Sequence, residues 1–265
     1  MQPKISIITV SYNAQDSIEQ TIQSVLSQTY PFFEYIIVDG SSMDQTIAII
    51  NKYKQKISQV ISEKDLGIYD AMNKGLQCST GDIICFLNAD DKFYDTHVLE
   101  TVVLELNNHP EVELFYGKLF FLNIPENLDF SPESYNRERK TKLDAIINAM
   151  PHQATFTKRS VFKKVGAFNL KYKIGADYDW FLRCYKAGVK MRFVDRFLSF
   201  FSYDGMSYKK RYVHIPERIR LVSANSSFYE FFLYSITALI RFLKGVFLEY
   251  VIYPLKKFCF KRNHS

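Results

Sequence analysis

The chain has 265 residues, 47% hydrophobic and 23% charged, with only ten glycines and eight prolines; this globular composition suits one elaborated domain or two small ones and excludes long disordered linkers. The net charge of +6 is uneven: residues 205–265 carry eleven Lys/Arg against three Asp/Glu, whereas the 204 residues before them carry 23 against 25. A near-neutral body with a basic tail points to an anionic surface beside the tail, with membrane and nucleic acid both candidates at this level.

Residues 4–10 are apolar or β-branched and predict a first strand. The chain enters it without a basic region followed by an apolar helical stretch, so no secretory signal is expected. Ser11-Tyr12-Asn13 reads as a loop, and Ile18, Ile22, Val25 and Leu26 then recur at helical spacing. Tyr35-Ile36-Ile37-Val38-Asp39 is a second buried strand ending in an acid, followed by a turn over residues 40–44 and a helix through Tyr53 with Ser42 as its expected N-cap. A short strand over 59–62 and a helix over 68–76 lead through Gly81-Asp82 into Ile83-Ile84-Cys85-Phe86-Leu87, a continuous apolar run that suits a strand covered on both faces. The first 90 residues thus read βαβαβαβ, which predicts a doubly wound, mostly parallel sheet flanked by helices.

Beyond Asp91 the alternation loosens. The pattern predicts a helix over 96–107, one or two strands over 112–122, a solvated polar loop over 123–142 and a strand over 153–157. A short helix over 160–165 with Gly166 as its C′ residue follows, then a helix with an acidic first turn from Asp177 and a strand over 190–194. From about Pro216 the chain reads as helical, and residues 228–253 are dense in Phe and Tyr broken by Glu230, Arg241, Lys244 and Glu249. No run there approaches the ~20 apolar residues of a spanning helix. Large apolar side chains with basic neighbours, ending in Lys256-Lys257 and Lys261-Arg262, suit a helix lying in a membrane interface. A helix packed on its own domain or a dimer contact is the plainer alternative. The cysteines Cys78, Cys85, Cys184 and Cys259 are scattered without a CxxC pair, so reduced thiols are expected.

The chemistry gathers at strand ends. Asn88-Ala89-Asp90-Asp91 closes the fourth strand, and carboxyl ends of strands are where open α/β sheets bind ligands. Clustered oxygen donors there suit a divalent cation and, through it, a phosphorylated substrate, although Asn and Asp are also common in plain turns. Asp39 lies at the same predicted edge. No glycine precedes Val38, so the first turn is not a GxGxxG loop, and no GxxxxGK[ST] occurs. The segment from Ser62 to Gly75 is a polar loop opening a helix, with Asp65, Asp70, Asn73 and Lys74 able to line a site. Asp177 and Asp179 at a helix N-terminus favour the macrodipole, and a carboxylate kept ionised there can act as a general base. Pro151-His152-Gln153 offers a donor or a metal ligand, though single histidines are more often structural.

Three stretches together, Ile5 to Asn13, Val38-Asp39-Gly40-Ser41-Ser42-Met43-Asp44-Gln45-Thr46 and Asn88-Ala89-Asp90-Asp91, resemble the family 2 inverting glycosyltransferases of the GT-A fold. Ser62 to Gly75, Pro151-His152-Gln153-Ala154-Thr155 and Ala176-Asp177-Tyr178-Asp179 look like the bacterial branch that builds O-antigen, capsule and exopolysaccharide units. The resemblance covers about residues 4–207. It implies a GT-A domain over 1–207, with a nucleotide-binding half (1–91) and an acceptor half (92–207); the aromatic and basic composition beyond it predicts a membrane-associating helical tail over 208–265. The resemblance implies a nucleotide-diphosphate sugar donor, UDP-linked, contacted by Thr9, Ser11, Asn13, Asp39, Asp65, Gly67, Asn73, Lys74, Asn88 and Ala89.

It further implies Mg²⁺ or Mn²⁺ on Asp90, with Asp91 as a second candidate. Asn88 departs from the family's Asp-x-Asp pattern and is left to ribose, water or the second shell. Asp177 matches the aspartate of a Glu-Asp pair that supplies the base; Ala176 stands where the Glu would be, and Asp179 is the reserve. His152 and Gln153 fall to the acceptor or diphosphate. A cytoplasmic enzyme held at the inner membrane, acting on a lipid-diphosphate-linked glycan, is the reading implied. A sugar nucleotidyltransferase and a non-catalytic nucleotide-sugar or membrane-binding module are the alternatives. Nucleic-acid binding is set aside, because the basic residues accompany an aromatic helix rather than a stacking groove.

Overall fold

The computed structural model describes residues 2–124, 132, 136–139, 141–147, 150–202 and 211–247. At its centre lies β1 (Ile5–Ser11), buried along its whole length. It pairs in parallel with β2 (Phe33–Asp39) and with β4 (Ile83–Phe86), and β2 pairs in parallel with β3 (Gln59–Ser62). The crossovers are α1 (Ile18–Leu26), α2 (Thr46–Lys52) and α3 (Ile68–Cys78). Ile5 and Ile7 pack with Ile18, Ile22 and Val25 of α1, whereas Ile8 and Val10 pack with Tyr69 and Met72 of α3. Both faces of β1 are therefore covered, which is why it reads as an unbroken apolar run.

The second half adds β5 (Lys92–Phe93), α4 (Val98–Asn108), β6 (Leu114–Leu122), α5 (Lys142–Ile147), β7 (Thr155–Lys158), α6 (Arg159–Val165), α7 (Ala176–Lys186) and β8 (Met191–Ser202). Among the described residues the sheet has eight strands in the order β3-β2-β1-β4-β7-β6-β8-β5. β7 runs antiparallel to β4 and β6, β8 runs parallel to β6, and β5 runs antiparallel to β8. This reversal at β7 positions the site: it brings the amino end of β7 and the carboxyl ends of β6 and β8 to the edge where β1, β2 and β4 end.

Four expectations are corrected in detail. Strand β8 runs on to Ser202 rather than stopping near 194, because it pairs with β6 through a register shift around Lys118. Strand β5, two residues long, was not foreseen. Ser42 is not the cap of α2, which begins at Thr46 with the Asp44 carboxylate accepting from the Thr46 N–H at 2.9 Å. The helix expected from Pro216 starts five residues earlier, as α8 (Arg211–Asn225), with Pro216 inside it. The positive φ of Gly166 at the end of α6 is as expected.

α8 and α9 (Phe228–Phe247) lie against the second half of the domain. Leu221, Val222 and Tyr234 form a buried cluster with Ile146 of α5 and Tyr178 and Leu182 of α7. The opposite face of α9 is apolar and open, with Phe228, Phe232, Leu239 and Ile240 each more than half exposed. Among the described residues no helix is long and apolar enough to cross a membrane. Most of the expected 123–142 loop, Cys259 and the basic residues 256–262 lie outside the described residues.

Candidate active site

Strand register builds the first part of the site. Asp39 sits opposite Ser11 of β1 and Ser62 of β3. Both hydroxyls donate to its carboxylate, each at 3.0 Å, and Ser42 adds its N–H (2.8 Å) and its hydroxyl (2.5 Å). Asp39 is wholly buried beneath these hydroxyls. Asn13, at φ 49°, links the two loops: its N–H donates to Ser42 Oγ at 2.8 Å and its side-chain oxygen accepts from the Met43 N–H at 2.9 Å. Gly40 lies beneath Asp65 and Tyr12. A Cβ there would stand 2.5 Å from Asp65 Oδ2 and 3.3 Å from the Tyr12 ring, so a larger residue would displace the Asp65 carboxylate. Asp65 also accepts from the Gly67 N–H at 2.9 Å, which shapes the entry to α3. Lys74 reaches back from α3 to Glu63 at 2.8 Å and to the Lys64 carbonyl at 3.0 Å. The Glu63 hydrogen bond raises its pKa.

The second part lies at the end of β4. The chain continues alongside β1, with Leu87 N–H donating to Ile8 and Ala89 N–H to Val10, so Asn88 to Asp91 reach the same edge as Asp39. The Thr21 hydroxyl of α1 braces this loop through the Ala89 (3.0 Å) and Asp91 (2.6 Å) carbonyls. Asp90 is exposed, whereas Asp91 is 2% exposed and neither of its carboxylate oxygens closes a hydrogen bond of ordinary geometry. Burial, then the Asp90 charge, pushes the Asp91 pKa well above the usual carboxylate range; the Ser202 N–H and the Gln153 and Asn88 side chains offset only part of this. The Asn88 side-chain oxygen is likewise buried without a partner among the described residues.

The third part is a hydrogen-bonded row that joins α3, the turn before β7, and α7. Because β7 is antiparallel to β4, the 3₁₀ turn His152–Ala154 stands beside Asn88. His152 Nε2 faces Asn88 Nδ2 at 3.2 Å and its Nδ1 faces Asp177 Oδ2 at 2.9 Å. Asp177 Oδ1 accepts from the Tyr69 hydroxyl and the Tyr178 N–H, both at 2.8 Å. Burial works to raise the Asp177 pKa, but His152, Tyr69 and the Tyr178 N–H outweigh it and hold the carboxyl below its usual range. The side chain stays 18% exposed, so a carboxylate ionised at neutral pH keeps an edge open to solvent. The edge thus carries acid-bearing loops on one side and an ionised carboxylate on the other.

The sequence profile of glycosyl transferase family 2 matches residues 6–166. The chain belongs to that family. A PGL/p-HBAD biosynthesis glycosyltransferase of Mycobacterium bovis is 30% identical over 188 residues, 69% of this chain and 70% of the relative. An uncharacterized glycosyltransferase of Mycobacterium tuberculosis is 33% identical over 184 residues, 68% of each chain. Among solved structures, residues 1–349 of S. aureus TarS in complex with UDP-GlcNAc align with a TM-score of 0.68 at 21% identity, over 84% of this chain and 66% of the TarS fragment. The mannosyltransferase PcManGT of Pyrobaculum calidifontis, in complex with GDP-Man and Mn²⁺, aligns with a TM-score of 0.63 at 16% identity, over 95% of this chain and 86% of its own. These likenesses establish the GT-A-type fold of this glycosyltransferase.

The glycosyltransferase brings Ser11, Asn13, Asp39, Asp65, Gly67, Asn88, Ala89, Asp90, Asp91, His152, Gln153 and Asp177 to one edge. Thr9, Asn73 and Asp179 are placed differently. Thr9 is fully buried on the α1 face, where its hydroxyl oxygen accepts from Tyr35 at 3.1 Å. The Asn73 amide is committed at both ends to the Phe168 backbone, at 2.9 and 3.0 Å. Asp179 pairs with Arg183 at 2.8 Å, and Arg183 also clamps the Val165 and Ala167 carbonyls. Reasoning from sequence passed over Tyr69, Tyr12 and Glu217. Glu217 of α8 accepts from the N–H groups of Lys173 (2.9 Å), Ile174 (2.9 Å) and Gly175 (3.2 Å), just ahead of α7. No local signal marks it, because its partners lie more than forty residues away.

Proposed function

We propose that this glycosyltransferase moves a sugar from a UDP-linked donor to a hydroxyl of a glycan carried on a lipid diphosphate, with inversion at the anomeric carbon, during assembly of a bacterial surface polysaccharide of the O-antigen, capsule or exopolysaccharide kind. The observation that carries this reading is the ionised, partly exposed Asp177 standing one imidazole ring from the loop of Asn88 and Asp91. Asp177 takes the acceptor hydroxyl's proton as that oxygen bonds to the anomeric carbon. The bond from that carbon to the donor diphosphate breaks, its electron pair leaves with the diphosphate, and a single displacement inverts the centre.

The uridine lies across the β1–β2–β3 end, against the Tyr12 ring and above Gly40. The exposed Ser62 hydroxyl donates to Asp39 and keeps its lone pairs for the base or ribose. The unpartnered oxygens of buried Asp91, beside exposed Asp90, fit a hard cation. Those two residues would hold Mg²⁺ or Mn²⁺, which when bound offsets charge on the leaving diphosphate. No cluster of three or more His, Cys, Asp or Glu suited to a metal occurs among the described residues, and the donor diphosphate would supply further oxygens to the ion. Asp179, neutralised by Arg183, is left out of the chemistry.

The open apolar face of α9 lies in the interface of the inner membrane on its cytoplasmic side, where the tail's Lys and Arg meet lipid phosphates. A panel of UDP-, GDP- and dTDP-sugars incubated with Mg²⁺ or Mn²⁺ tests the donor. Slow hydrolysis confined to UDP-sugars and abolished by EDTA supports the proposal, and preference for another nucleotide or metal-free turnover contradicts it.

A further inference from the structure

His152 uses both ring nitrogens within the protein, which a residue reserved for the acceptor or diphosphate would not do. An ionised Asp177 can only accept, so His152 Nδ1 carries a hydrogen. A neutral imidazole then has a bare Nε2, and only a donor can face it. Asn88 turns its Nδ2 to that nitrogen at 3.2 Å, although this leaves its own oxygen buried and unpartnered. An aspartate at position 88 would instead accept from Nε2–H, and the ring would become an imidazolium shared by two carboxylates. Asp177 would then be tied to a full cation and be a weaker base.

We infer that Asn88 and His152 are a positioning pair for the base, in which the Asn88 amide fixes His152 as the neutral Nδ1–H tautomer and His152 aims Asp177 at the acceptor. This gives a physical role to the residue that departs from the Asp-x-Asp pattern, and it couples the donor loop after β4 to the base on α7. The inference rests on Asp177 being the base.

Two measurements test it. In the metal-free wild-type protein at pH 7.5, long-range ¹H–¹⁵N spectra of the five histidines, with the His152 signal identified by its loss in His152→Asn, report the ring directly. A neutral ring protonated at Nδ1 is expected; an Nε2–H tautomer or an imidazolium overturns the inference. Hydrolysis of UDP-GlcNAc, UDP-glucose and UDP-galactose with Mn²⁺ is then followed in His152→Asn, His152→Gln and Asp177→Asn. Asn places an amide N–H near the former Nδ1, whereas Gln reaches the Nε2 position and is closer to imidazole in size. The positioning role predicts kcat lowered roughly 100-fold in His152→Gln with donor KM within about threefold, and a smaller loss in His152→Asn. A space-filling role predicts the reverse order, and that order overturns the inference. Loss of activity in Asp177→Asn with wild-type kcat in His152→Gln overturns the positioning role alone; an active Asp177→Asn overturns the base assignment beneath it.

Discussion

Removal of Glu217 tests whether the C-terminal helices belong to the catalytic body. Its carboxylate gathers three consecutive N–H groups of residues 173–175, directly before α7. Leu221, one turn along α8, presses on Gly175 so closely that a Cβ there would stand 2.8 Å from it. On the other side the Tyr69 hydroxyl bonds the Ile174 carbonyl at 2.5 Å as well as Asp177. The segment leading into Asp177 is thus held between α3 and α8. In Glu217→Ala the exposed Lys173 N–H rehydrates, but the two half-buried ones lose a charged acceptor at about 1–3 kcal/mol each, and the helix N-terminus loses a charge worth about 0.3–1 kcal/mol. A net loss of roughly 3 kcal/mol lowers the thermal midpoint of a chain this size by about 6–12 °C. Glu217→Gln keeps one acceptor oxygen and should recover about half of that. Turnover of a UDP-sugar measured well below the melting range should fall about tenfold in kcat for the alanine variant, because Asp177 loses its setting. Thermal denaturation followed by circular dichroism is the assay. Alanine and glutamine variants that both melt with the wild type would refute the clamp.

Other expectations follow from the electrostatics and surface. Glu34 accepts from Ser6, Lys4, Thr80 and Gly81; burial raises its pKa, but the bonds from Lys4, Ser6 and Thr80 outweigh it and bring it to about 2 from an ordinary 4.5. A depressed folded pKa gives stability that is present above 4.5 and lost as pH falls toward about 2. Urea midpoints should therefore drop across that window in the wild type and less in Glu34→Gln. Asp91 behaves oppositely: its raised pKa withdraws stability as pH climbs past the usual carboxylate range. Asp91→Asn should stabilise the metal-free protein by on the order of 1–2 kcal/mol while lowering Mn²⁺-dependent turnover at least about 100-fold, and a destabilised metal-free variant would contradict the unpaired state. Phe232→Ser with Leu239→Ser should weaken co-sedimentation with phosphatidylglycerol vesicles without shifting the melting temperature; unchanged partitioning would remove the membrane role. These exposed positions serve better than deletion of 228–265, which would strip Tyr234 from its buried cluster.

The parallel half of the fold was legible because β1, β2 and β4 are covered on both faces, and the helices between them repeat at 3.6 residues. The mixed half was less so. β5 is too short to show a period, and the length of β8 depends on pairing with β6 across a register shift. Acids at strand ends and at the start of α7 could be foreseen as a group, since topology alone brings them to one edge. Side-chain commitments could not. Thr9 shares the parity of Ile5 and Ile7, a signal that places it on the α1 face. Asn73 looks like any polar residue on a surface helix until Phe168 is seen beside it. Tyr69 and Glu217 have partners 42 to 108 residues away, and only the tertiary fold joins them to Asp177.

The stereochemistry of transfer distinguishes a single displacement assisted by Asp177 from any other route. Wild type and Asp177→Asn are incubated with an α-linked UDP-sugar and Mn²⁺, and the first sugar released to water is read by ¹H NMR before it mutarotates. The account predicts the β-anomer from the wild type, and an Asp177→Asn variant that folds, binds UDP and releases none. First release of the α-anomer, or wild-type turnover in Asp177→Asn, would contradict it.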